Sequence, residues 1–125
     1  YDPGSGYPCL GYVLEMDGLQ LYHSGDTLVY DGQVERLRRF DLDIAFLPIN
    51  GTSDRLMALQ VPPNMSATEA VALAQAAGPR LVIPGHYDMF TFNTADVGEF
   101  TRRADAAGVP YAVLHCGERY LWRRP

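Results

Sequence analysis

Apolar and polar positions alternate in two short runs near the start of the chain, "YPCLGYVLEM" and "LQLYHS", with Asp17-Gly18 between them. Asp-Gly flanked by such runs predicts a two-stranded hairpin. "GQVERLRRF" follows as a short helical stretch, and "DIAFLPI" is a continuous apolar run of buried-strand length. Residues 50–65, "NGTSDRLMALQVPPNM", have no clear period and carry Gly and a Pro pair, which predicts a long loop. Ser66 with Glu69 three residues on forms a capping box, and Gly78 closes the helix it opens. "PRLVIPGH" then predicts a buried strand ending on His86, and "ADVGEFTRRADAAG" a second amphipathic helix. "YAVLHCG" with "ERYLWRR" predicts a final strand pair. Strands alternating with helices make this an α/β chain whose helices pack on one sheet.

At 125 residues and 47% apolar content the chain is the size of one domain with a real core. Its net charge of -5, with scattered basic residues that are all Arg, argues against nucleic acid. No stretch approaches the roughly eighteen apolar residues that span a bilayer, and the start lacks the basic and apolar blocks of a signal peptide. Cys9 and Cys116 form no CxxC pair, so small core residues in a reduced, cytoplasmic setting are the expectation.

Two apolar runs end in a metal-competent side chain just after a glycine: Asp26 after "LYHSG" and His86 after "LVIPG". In an α/β sheet such strand ends gather at one rim, and imidazole with carboxylate suits zinc or manganese. Spacing alone leaves two readings open. Asp26 with Thr27 also makes an ordinary turn or cap, and a strand-end His is often a hydrogen-bonded structural residue.

"LYHSGDT", "DIAFLPINGTSD", "NMSATEAVALAQAAGPRLVIPGHYDMF" and "GERYLW" together resemble, in order, the C-terminal half of the metallo-β-lactamase-fold hydrolases. The nearest likeness is to the branch typified by L-ascorbate 6-phosphate lactonase. The resemblance implies one half of a four-layer αβ/βα sandwich, with residues 1–125 forming a single half-domain. It implies that Asp26 bridges two zinc or manganese ions and that His86 is a ligand of the second. A hydroxide held between the ions would attack the carbonyl of a lactone or ester, with Asp26 orienting it. Asn50 and Arg55 become candidate substrate contacts, and His23, Thr27 and Asp88 candidate supports of the ligands. Asp88 could equally cap a helix over "MFTFN", and Phe90 and Phe92 could line a pocket, although core packing is the expectation. His23, three positions before Asp26, faces the other side of an extended strand, and His115 is expected to be structural and partly buried.

The family's His-x-His-x-Asp-His signature and the histidine that follows it belong to the N-terminal half, and this chain carries neither. The first residue is Tyr rather than Met, so the expectation is that a first half precedes Tyr1 in the intact protein. Residues 1–125 alone would then be inactive, and the sheet face meant for the missing half would be bare. The expected partners are that half, a second copy of the chain and a small lactone or ester; membrane and nucleic acid are not among them. Two other readings remain: a non-catalytic half-domain used for binding or assembly, and a phosphodiesterase of the same fold.

Overall fold

Asp17 and Gly18 both adopt positive φ, 51° and 78°, which is the backbone of a tight hairpin turn. In this computed structural model, which describes residue 4 and residues 9–124, the turn joins β1 (Tyr12–Met16) to β2 (Leu19–His23) in antiparallel register, with Met16 opposite Leu19. The chain continues through α1 (Gln33–Leu37), β3 (Ile44–Pro48), α2 (Asp54–Ala58), α3 (Ala67–Ala77), β4 (Leu81–Gly85) and α4 (Val97–Ala107). The sheet order is β1-β2-β3-β4, with β2, β3 and β4 parallel. Parallel neighbours point their carboxyl ends the same way, so the segments leaving β2, β3 and β4 emerge at one rim.

The capping box is built as the sequence predicts. The Ser66 backbone N–H donates to Glu69 Oε2 at 2.8 Å, and the Glu69 N–H returns a bond to Ser66 Oγ. The Ser66 N–H and the Ser66 hydroxyl, which donates to the same Glu69 oxygen at 2.7 Å, hold the Glu69 carboxyl below its usual range. Gly78 at φ 76° and Gly108 at φ 65° close α3 and α4. Both helices bury small and apolar residues, Ala70, Val71, Ala74, Phe100 and Ala104, against Tyr22, Ala45, Leu47 and Val82 of the sheet.

Two expected elements change. Part of the 50–65 loop is helical, because Ser53 Oγ accepts the Leu56 N–H and starts α2. Only Leu56 of that helix is buried, so no amphipathic period announced it. The final strand pair, by contrast, is absent, and Val82 and Tyr111 make a single parallel bridge. Val82 uses its N–H and C=O toward this edge, to Pro110 and Ala112. The next residue of β4 to face the same way is Pro84, which has no N–H, so the ladder cannot continue.

The segment beyond that bridge crosses the other face of the sheet. Ala112, Leu114 and Trp122 pack on Ile44, Leu81 and Ile83, and Arg124 reaches Asp43. His115 sits in the turn formed with Glu118 and is exposed rather than partly buried. Cys9 and Cys116 are likewise exposed, Cys116 because it opens the turn at Gly117 (φ 80°). The cover stops short of β1, where Tyr12, Leu14 and Met16 leave an apolar stripe open on the face shared with Leu21. Among the described residues no helix is long and apolar enough to cross a membrane.

Asp43, whose side chain is fully buried, anchors the end of the sheet away from this rim. Its carboxylate accepts the Gln20 N–H at 2.9 Å, Arg124 Nε at 2.8 Å and Arg80 Nη1 at 3.4 Å. Burial pushes the carboxyl up, but these donors outweigh it and hold Asp43 below the ordinary carboxylate range.

Candidate metal centre

β2 ends on His23, and the chain then turns at Gly25, φ 64°. A Cβ at Gly25 would stand 2.8 Å from the Leu10 carbonyl oxygen, so both the backbone angle and the space call for glycine. The turn is held by the Gly25 N–H donating to His23 Nδ1 at 3.1 Å, while the His23 ring stacks on Phe46. His23 thus supports the turn that presents Asp26. At β4 the device differs: Gly85 is an ordinary strand residue and His86 itself takes φ 63°. A non-glycine side chain in the left-handed region costs about 1–2 kcal/mol, and such outliers gather at functional sites.

Because both Gly and Ala variants at position 86 lack the ring, their difference isolates this backbone cost. His86→Gly is expected to be more stable than His86→Ala by about 1 kcal/mol in paired denaturant unfolding. An alanine variant equal to or more stable than the glycine variant would show that the left-handed angle carries no strain.

The two turns bring Asp26 and His86 together from 60 positions apart, with Asp26 Oδ1 3.4 Å from His86 Nε2. Both remain open, at 54% and 33% side-chain exposure. Ligands about 2.0–2.2 Å from a tetrahedral ion stand about 3.3–3.6 Å from each other, so this pair fits two corners of a zinc-like site. Among the described residues no group of three or more His, Cys, Asp or Glu gathers to hold a metal. A closed site here would need further ligands beyond this pair.

Asn64, which the sequence did not single out, joins the two turns. Its Oδ1 accepts the Thr27 backbone N–H at 2.8 Å, and its Nδ2 lies 3.2 Å from His86 Nδ1. The Thr27 carbonyl accepts the Met65 N–H at 2.8 Å, and the Thr27 hydroxyl donates to the Leu28 carbonyl instead of to Asp26. Thr27 thus steadies the site through its backbone.

Asp26 borders two cavities. One of about 190 Å³ is lined by Asp26, His86, Asn64 and Asn93, with Val61, Pro62, Met89 and Phe90 as an apolar wall. The other, about 550 Å³, lies beside Tyr22, Ser24, Tyr30 and Arg36. Asn50 lines neither, but its Nδ2 donates to Asn93 Oδ1 at 2.7 Å and so places the amide that does. Arg55 sits exposed on α2 and lines neither cavity; the guanidinium beside a cavity is that of Arg36. Asp88 is exposed at φ 54°, its N–H bonded to Thr94 Oγ1, and no helix follows for it to cap before α4. Phe90 and Phe92 are exposed and pack on each other outside the core, and of the two it is Phe90 that lines the smaller cavity. Tyr87 donates its hydroxyl to the Leu114 carbonyl, tying the start of this loop to the segment across the sheet.

The chain is thus an α/β fold with a mixed sheet, and a carboxylate and an imidazole converge at its carboxyl rim. Residues 2–87 match the family model described as the beta-lactamase superfamily domain, and the chain belongs to that family. A UPF0173 metal-dependent hydrolase of Carboxydothermus hydrogenoformans is 36% identical over 115 residues, which cover 90% of this chain and 45% of the relative. One from Methanoculleus marisnigri is 31% identical over 121 residues, 94% of this chain and 50% of the relative. Igni18, a metallo hydrolase from Ignicoccus hospitalis, superposes with a TM-score of 0.71 at 27% identity over 86% of this chain and 43% of its own. The chain spans about half the length of the curated relatives it matches.

Proposed function

We propose that the protein carrying this chain is a metal-dependent hydrolase of lactones or esters, with Asp26 and His86 as two of its ligands. The observation that carries the reading is the 3.4 Å approach of Asp26 Oδ1 to His86 Nε2 at the carboxyl rim. A pair of divalent ions, zinc or manganese, would supply an activated water and polarise the carbonyl to be attacked. This chain's own residues do the rest. Asp26 accepts and orients the attacking water, and Asn93, placed by Asn50, offers a hydrogen bond to bound substrate. Val61, Pro62, Met89 and Phe90 receive the apolar part of a substrate and keep bulk water from that side. The remaining ligands come from an N-terminal half that packs on the sheet face where Tyr12, Leu14 and Met16 lie open. Among the described residues no Arg lines the smaller cavity, so a lactone or ester without a phosphate fits it better than the sugar-phosphate substrate that typifies the branch.

The test is hydrolysis of a panel of lactones and aryl esters by the intact protein, before and after chelation. Turnover that is lost on chelation and restored by zinc or manganese is the expected result. A protein that binds metal but turns over none of the panel, and cleaves phosphodiesters instead, would replace the substrate class. A protein that binds no metal would be a binding or assembly module.

A further inference from the structure

Asn64 stands at 3% exposure between the loops that carry Asp26 and His86, and both ends of its amide are committed. A backbone N–H can only donate, so the Asn64 atom 2.8 Å from the Thr27 N–H is the carbonyl oxygen. The atom 3.2 Å from His86 Nδ1 is then the NH2 group, which also can only donate. Nδ1 must therefore accept. The proton of the neutral imidazole sits on Nε2, the nitrogen turned toward Asp26.

Ligation through Nε2 needs the opposite arrangement. That nitrogen must present its lone pair, the ring proton must sit on Nδ1, and Nδ1–H wants an acceptor. We propose that Asn64 is a positioning residue that holds His86 in the metal-free tautomer, and that its amide turns over when His86 takes a metal. One proton moves from Nε2 to Nδ1 and none is gained or lost. The turned amide offers its oxygen to His86 and its NH2 to the Thr27 N–H, two donors face to face. Thr27 N–H thus loses its partner in the loaded state, while the Met65 N–H keeps its bond to the Thr27 carbonyl. The turnover step rests on the reading of His86 as a ligand; the metal-free tautomer does not.

Nitrogen-15 spectroscopy and amide exchange on the intact protein, with zinc as the probe, test both parts. In the metal-free protein at a pH where the ring is neutral, His86 should show a protonated Nε2 and a bare Nδ1. With zinc, Nδ1 should gain the proton and the Thr27 amide should exchange about tenfold faster relative to Met65, as for one lost hydrogen bond. Asn64→Ala should leave the Thr27 amide fast in both states, so that its zinc dependence disappears. A protonated Nδ1 in the metal-free protein overturns the proposal, as does a Thr27 amide that zinc leaves unchanged or slows. His86 ring signals unmoved by zinc would overturn the amide turnover together with the ligand reading, and the metal-free tautomer would then decide Asn64's hold on the ring alone.

Discussion

Replacing Asp26 with alanine is expected to lower hydrolysis by the intact protein by about 10²–10⁴-fold and to cut its metal content, with the fold unchanged. The size follows from two losses at one position. Under the proposed role the metal site would lose a carboxylate ligand, and the group that would orient the attacking water would go with it. The fold should survive because Asp26 is 54% exposed and the turn beneath it is held by Gly25 and His23. kcat/KM measured with metal content on the same preparation checks this. Full activity with a full complement of metal would mean that Asp26 only shapes a turn.

The second large effect lies at the opposite end of the sheet. Asp43→Ala is expected to destabilise the protein by about 3–5 kcal/mol, the cost of breaking a buried charge network from its centre. It strands the Gln20 N–H and leaves Arg80 and Arg124 with only the exposed Asp41 as carboxylate partner, and it removes the buried anchor for Arg124 at the end of the segment that crosses the sheet. The same carboxylate predicts an acid limb. Its pKa is depressed on folding, so its contribution is complete above the unfolded value of about 3.9 and is lost as pH falls through the lower folded value. Denaturant midpoints at neutral pH and across the acid range check both statements. The alanine variant should lose less stability than the parent as pH falls below about 4. An alanine variant within about 1 kcal/mol of the parent would show that the cluster is surface decoration.

Local rules made much of the fold legible. Asp17-Gly18 needs only its own backbone to make the hairpin turn, and Ser66 with Glu69 satisfies its own capping bonds. The approach of Asp26 to His86 was legible because each closely follows a strand that the apolar pattern marks, and parallel strands collect their carboxyl ends at one rim. What stayed hidden depends on partners far along the chain. Asn64 acts through Thr27 and His86, 37 and 22 positions away, and nothing in "PPNMS" marks it. Pro84 stops the last ladder only because it faces the edge where residues 111–115 arrive, a fact of register rather than of composition. Arg36, not Arg55, lines a cavity because α1 turns it toward Tyr30, where its guanidinium lies 5.7 Å from the ring centre.

Anomalous diffraction at the zinc edge from crystals of the intact protein grown with zinc tests the central claim most directly. A peak about 2.0–2.2 Å from both Asp26 Oδ1 and His86 Nε2 is the predicted result. Zinc bound elsewhere, with Asp26 and His86 still facing each other unligated, would contradict it.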